Sequence, residues 1–275
     1  MSQNVKTQKA ASGESSSLST MFASVLFPVA IVLGYLIFKY VLGSGGNFEN
    51  GDNTGHPLPG NILGMMYKGG ALVPVLMACF IIALSVIAER ALTITAAKGK
   101  GSVPMFVRKV KTLLDQGDLS TAIAECDKQK GSVANVIREG LHKYQKVSND
   151  NSLAKEQKLL AINKEIEEAT SLELPMLEKN LVILSTLASV ATLLGLLGTV
   201  FGMIRAFSAI ATAGAPDAVQ LSTGISEALI NTALGISTSA ISIIAYNYFT
   251  TKIDQLTYGI DEAGFSIAQN FATKN

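Results

Sequence analysis

Two stretches of the chain place hydroxyls inside apolar surroundings, where they could carry a polar species. The first, LLGLLGTVFGMI, holds Thr199. The second, GISEALINTALGISTS, holds Thr232, Ser239 and the carboxylate Glu227. Polar groups in hydrocarbon are costly and mark ion or substrate routes. The stretches are joined by a short loop around Pro216, so they read as an antiparallel hairpin. With the turn centred there, the numbers of residues at equal depth sum to about 431. Thr199 then faces Thr232, Thr192 faces Ser239, and Ser185 faces Tyr246. Each series steps by seven, so each lies on roughly one helix face. If those faces meet a common axis, they stack three levels of hydroxyls. The plainer alternative is that each hydroxyl bonds its own i−4 carbonyl and packs helices together.

Glu227 and Arg205 also match in depth, which allows a partly buried ion pair. Glu227 sits about 140° around the helix from Thr232, so the two need not face one lumen. Gly198 and Gly202 form GxxxG, with Gly195 ahead of them, a spacing that lets helices approach closely. No Asp lies in any of the apolar spans. Threonine holds water and hydrogen-bonds a carboxylate but carries no charge at neutral pH. If protons cross here, another chain supplies the main proton-binding acid.

Composition supports a membrane setting for these elements. Hydrophobic residues make up 48% of the 275 and charged residues 16%, against ~25% charged in ordinary soluble chains. Mean hydropathy is +0.36, which fits a membrane protein with a sizeable aqueous portion. No basic run interleaved with aromatics supports nucleic-acid binding. Cys79 and Cys126 lie in dissimilar segments, so no disulfide is expected. His56 and His142 stand alone, and no metal site or cofactor is assigned. No phosphate-binding glycine motif appears, and no enzymatic reaction is indicated.

The expected fold is all-α and polytopic, with about four transmembrane helices. Residues 1–20 are polar and read as a disordered cytoplasmic N-terminus. Met21–Leu42 reads as a first transmembrane helix, with a signal peptide as the competing reading. Residues 43–70 form a periplasmic loop, and 71–88 a second span. Residues 89–180 form a cytoplasmic helical domain. It contains a helix Val103–Leu114 behind Ser102, a cap at Asp118, and a charged helix from Leu153 that Pro175 should kink. Spans follow at 181–212 and 222–250, around a periplasmic loop at 213–221, and an amphipathic tail covers 251–275. Fifteen of the 22 Lys and Arg lie between Arg90 and Lys179. The positive-inside rule makes that region cytoplasmic.

At these residues the chain resembles the MotA/TolQ/ExbB proton channel family, on its ExbB side. The resemblance rests on LLGLLGTVFGMIRAF (Leu193–Phe207) and GISEALINTALGISTSAISIIAYNYF (Gly224–Phe249). Weaker similarity extends it from Gly69 to Asp254. It implies a pentamer in the inner membrane of a Gram-negative bacterium, built around an ExbD- or TolR-like single-span partner whose transmembrane Asp carries the proton. It implies coupling to a TonB-like protein, with a TolQ-like role as the alternative. The family's lumen-facing threonines fall on Thr199 and Thr232, and its transmembrane Glu on Glu227. The resemblance also implies that the pore helices extend into the cytoplasm through Leu153–Asn180 and the tail after Thr250. Two departures stand out: Thr192 replaces a proline common in the family, and Met21–Leu42 precedes the usual first helix. A non-conducting scaffold is the reading from another class. A small-solute carrier is disfavoured, since no inverted repeat is evident.

Overall fold

The computed structural model describes residues 24–212 and 218–274. The polar N-terminus and the turn around Pro216 lie outside the described residues. Among the described residues the structure is helical, with one isolated bridge between Phe48 and Pro57. Nine α-helices follow in order: α1 Ser24–Leu42, α2 Ile62–Tyr67, α3 Val73–Lys98, α4 Val103–Gln116, α5 Leu119–Gln129, α6 Gly131–Ser148, α7 Lys155–Glu178, α8 Leu181–Thr212 and α9 Ala218–Lys274. Four helical stretches are long and apolar enough to cross a membrane.

The chain divides into two compact units. The first comprises residues up to Val86 and Ile183–Ile244. It contains α1, the loop with α2, most of α3, α8 and the first half of α9. α1 packs on α3 at Gly34, where a Cβ would lie 2.8 Å from the Pro74 carbonyl oxygen and 3.1 Å from the Ala78 nitrogen. Only a residue without a side chain lets the two backbones meet so closely. The remaining apolar face of α1, including Val25, Ile31, Val32 and Tyr35, is exposed. Its last turn, Ile37–Leu42, widens to a π-helix whose end is capped by Gly43 N–H on the Phe38 carbonyl. The following segment, read as plain loop, contains the short helix α2. Asn61 caps it by accepting from Gly64 N–H at 3.0 Å, a signal that its six-residue length obscured. Tyr67 stacks on Phe38 and meets Phe48 edge-on.

The second unit comprises Ile87–Val182 and Ala245–Asn275. Val103, Phe106, Val107, Val110 and Leu114 recur at helical spacing and bury one face of α4. Ser102 precedes α4 without a side-chain cap, whereas Asp118 accepts from Thr121 N–H at 3.0 Å and starts α5. Against this core lies the end of α9, with Ile253, Leu256, Ile260, Ile267 and Phe271 buried. Phe271 meets the Tyr144 ring edge-on at 5.0 Å between centroids. Asn270 donates to Asp115 at 3.1 Å, and Lys274 Nζ donates to the Leu114 and Asp115 carbonyls at 2.6 and 2.8 Å, closing the end of α4. Tail and fourth span are one 57-residue helix.

α7 runs through Pro175, and the discontinuity comes later. Lys179 leaves helical geometry and Asn180 adopts φ 64°. A proline removes one N–H and crowds the preceding turn, but asparagine tolerates the left-handed conformation, so the break settles there. Buried Arg90 donates to the Leu177 carbonyl at 3.1 Å and pairs with Glu89. Asn180 reaches Glu89 at 3.4 Å. The cation thus satisfies a carbonyl that the end of α7 leaves without an intrahelical partner.

Candidate functional site: the α8–α9 hairpin

From Ala188 onward the described buried face of α8 is made of small residues: Ala188, Ala191, Gly195, Gly198, Gly202 and Ala206. Spacings of three and four keep them on one stripe. That stripe lies on α9. A Cβ at Gly202 would sit 2.7 Å from both the Ala228 nitrogen and the Gly224 carbonyl oxygen. At Gly195 it would meet the Asn231 carbonyl oxygen at 3.1 Å, and at Gly198 it would overlap the Asn231 side chain. All three sequence-predicted glycines therefore sit at the closest approach of the helices. Gly224 and Gly235 do the same from α9.

The hydroxyls flank this seam. Thr199 is half-buried and donates to the Leu196 carbonyl at 2.5 Å. Thr192 donates to the Ala188 carbonyl at 3.4 Å. Thr232 lies within reach of the Ala228 carbonyl at 3.1 Å and the Gly195 carbonyl at 3.4 Å. Ser239 crosses to the Ala188 carbonyl on α8. At 100° per residue, Thr192 and Thr199 lie on one side of the glycine stripe, and Thr232 and Ser239 on the matching side of α9. In an antiparallel pair these are the same flank. The hydroxyl protons point to carbonyls, which leaves oxygen lone pairs to accept from a neighbour.

The register differs slightly from the sequence count. Contacts of Gly198 with Asn231, Gly202 with Ala228 and Ser239 with Ala188 give numbers summing to about 429. Thr232 is therefore about two residues, ~3 Å of helix, out of level with Thr199. Ser185, half-buried, and Tyr246 fall in different units.

Glu227 and Arg205 come together on the other flank. Both carboxylate oxygens lie on Arg205 Nη1, at 2.6 and 2.7 Å. Glu227 is buried, while the Arg205 side chain is 59% exposed. The stretch leading into α3 closes over the carboxylate. Gly70, at φ +79°, lies against Glu227 so tightly that any side chain there would overlap it. One turn on, Asn231 Nδ2 donates to the Gly69 carbonyl at 2.8 Å. Asn231 Oδ1 is buried without a partner among the described residues. Sequence reasoning missed Gly69, Gly70 and Asn231 as parts of the site. Their signal was a glycine pair ahead of α3 and an amide one turn after a buried acid. Chemically, the arrangement fixes Glu227: its charge is matched and its oxygens are held.

Among the described residues no group of three His, Cys, Asp or Glu side chains is placed to hold a metal ion. Residues 128–262 match the model of the MotA/TolQ/ExbB proton channel family. The match covers 135 of the 275 residues and makes the chain similar to that family. The segment contains both hairpin flanks, Thr192, Thr199, Thr232 and Ser239 on one and Arg205 and Glu227 on the other, whereas α3 precedes it. The chain is 29% identical over 124 residues to the Tol-Pal system protein TolQ of Pseudomonas aeruginosa, covering 45% of this chain and 54% of that protein. It is 37% identical over 107 residues to TolQ of Haemophilus influenzae, covering 38% and 43%. It is 42% identical over 81 residues to the biopolymer transport protein ExbB of Helicobacter pylori, covering 30% and 56%. The chain spans about half the length of the curated relatives it matches. With four helices among the described residues long and apolar enough to cross a membrane, and with this similarity, the chain is a multi-pass membrane protein. The family that the segment matches is one of proton channels.

Proposed function

We propose that this chain is an ExbB-type subunit that conducts protons beside a single-span partner and uses the proton motive force to energise TonB-dependent transport across an outer membrane. The observation that carries the reading is the shared hydroxyl flank of α8 and α9 within the segment that matches a proton channel family. On this reading Thr199, Thr232, Thr192, Ser239 and Ser185 line the path. The proton rides on a carboxylate from an ExbD- or TolR-like partner, because the hairpin's own acid is tied to Arg205. Exposed apolar side chains on α8, among them Leu193, Leu196, Val200, Ile204 and Phe207, suit burial against further copies in a pentamer or against lipid. The positively charged region from residue 89 to 180 then faces the cytoplasm of a Gram-negative cell.

The test replaces Thr199 and Thr232 together with valine, which keeps shape and removes both hydroxyls. Reconstituted with its partner in liposomes, the double variant should lose at least tenfold in proton flux while native mass spectrometry finds the same assembly. Unchanged flux sinks the reading and favours a non-conducting scaffold. A TolQ-like role is the second reading, prompted by similarity to proteins of both names. Co-purification separates the two: a TonB-like protein marks the first and a TolA-like protein the second.

A further inference from the structure

The second unit contains a groove of about 850 Å³ between the end of α3, the start of α4 and α9. Its floor is apolar, with Ile94, Val103, Phe249 and Leu256 each at most 7% exposed. Its rim carries Lys98 and Lys252, with Asp254 as the opposing charge. Neither lysine forms an ion pair among the described residues. Lys252 Nζ instead stands 5.7 Å from the Tyr248 ring centroid. Tyr248 and Tyr258, 57% and 70% exposed, line the same groove.

The position along the chain decides what this groove suits. Residues 222–249 of α9 contain one charge, Glu227, and the next charged residue is Lys252. On α3 the apolar run gives way at Glu89 and Arg90, just before the groove begins at Ala91. The groove therefore starts where the apolar spans end. Tyrosines at that level are typical of the membrane–water interface, and long lysine stems let ammonium groups reach back to the headgroups. An apolar floor under a rim with two lysines against one aspartate, neither lysine in an ion pair among the described residues, complements one chemistry: an acyl chain joined to a phosphate.

We propose that this groove binds an anionic glycerophospholipid, its phosphate between Lys98 and Lys252 and an acyl chain along Phe249 and Ile94. Basic pockets beside transmembrane helices recognise anionic headgroups in this way, at ~1 kcal/mol per lysine. Removing both lysines should weaken retention roughly thirty-fold.

The test uses the full chain in nanodiscs of equal parts phosphatidylglycerol and phosphatidylcholine, released for native mass spectrometry. Wild type should keep phosphatidylglycerol over phosphatidylcholine. The double variant Lys98→Gln, Lys252→Gln should lose that preference by about thirty-fold, while Lys155→Gln, outside the groove, keeps it. Circular dichroism melting confirms that each variant is folded. A single Lys252→Gln variant, expected to lose about five-fold, serves if the double variant does not fold. Equal retention of the two lipids by wild type overturns the proposal, as does unchanged preference in a folded lysine variant. So does displacement of the lipid by inorganic phosphate, which marks a plain anion site. Crosslinks between positions 98 and 252 of different copies in lipid-filled discs also overturn it, because a second copy then fills the groove.

Discussion

Replacing Gly202 with alanine tests whether the α8–α9 seam is as close as its geometry requires. In an open helical position this substitution stabilises by ~1 kcal/mol, because alanine restricts the unfolded chain and favours the helix. At Gly202 the new methyl would lie 2.7 Å from the Ala228 nitrogen, 2.7 Å from the Gly224 carbonyl oxygen and 2.8 Å from the Ala228 Cβ, against an ordinary contact of at least 3.4 Å. Two of the three obstacles are backbone, so no side chain can turn aside. The helices must part by roughly 0.6 Å, a gap that forfeits a quarter to a half of each contact it opens. Overpacking of this kind costs ~1–3 kcal/mol. Backbone obstacles that cannot turn aside put the cost in the upper half of that range, so against the helix gain the net is a loss of about 1–2 kcal/mol. Gly264, also inside α9, is the control: its nearest obstacle is an Ile166 methyl at 3.3 Å, the end of a flexible side chain. Hydrogen-exchange mass spectrometry in detergent reads local opening directly. In G202A, peptides across α8 and the facing part of α9 should exchange roughly ten-fold faster. In G264A, local exchange should hold or slow. Equal or slower exchange in G202A would show that the helices are not in backbone contact and would refute the packing argument.

The second unit offers three more tests. Phe271 is fully buried against Tyr144, so Phe271→Ala should destabilise that unit by ~3–5 kcal/mol, seen as early loss of protection in α4 and α6; a change under 1 kcal/mol would contradict the core assignment. Burial, reinforced by Asp127, pushes the Cys126 thiol up to about 12. Maleimide labelling at pH 8 should run about three orders of magnitude slower than on an unfolded peptide, and comparable rates would refute its placement. Hydrogen bonds from Thr121 and Ser120 hold the Asp118 carboxyl below its ordinary 3.8. A depressed folded value means the cap's contribution is complete above that unfolded value and is lost as pH falls through the folded one. The melting temperature of wild type should therefore fall more steeply with acid than that of Asp118→Asn, which keeps an oxygen acceptor but does not titrate; parallel slopes would refute the linkage.

Much of this architecture was legible because the sequence alternates apolar runs with charged stretches, and depth can be counted from a short turn. That count brought Arg205 to Glu227 without any contact information. It failed by two residues at Thr199 and Thr232, because it placed the turn centre at Pro216. Helix faces locked by Gly195, Gly198 and Gly202 choose their own register. The sequence places a boundary at Asn180, where the helix does break, but not what holds it there: Arg90 and Glu89, some ninety residues away in sequence, meet the end of α7. Gly69 was invisible for the same cause. Its carbonyl matters only because Asn231 reaches it across 162 positions.

The two flanks of the hairpin do different physical work, and the difference bears on where a proton could reside. On one side Glu227, Arg205, Asn231 and Gly69 form bonds that tie α8, α9 and the lead into α3 together. Moving that carboxylate would break two contacts to a guanidinium and open the cover at Gly70, so it serves as an anchor. On the other side Thr192, Thr199, Thr232 and Ser239 each donate to a carbonyl of their own hairpin. Those oxygens can accept but hold no charge of their own. A proton path along that flank needs an acid from outside the hairpin, facing the half-buried side of Thr199. The Thr199→Val, Thr232→Val pair discriminates because it removes accepting oxygens on that flank while leaving the anchor on the opposite flank intact. Loss of flux with Arg205–Glu227 undisturbed would assign conduction to the hydroxyl side, and loss of assembly would assign the threonines to packing.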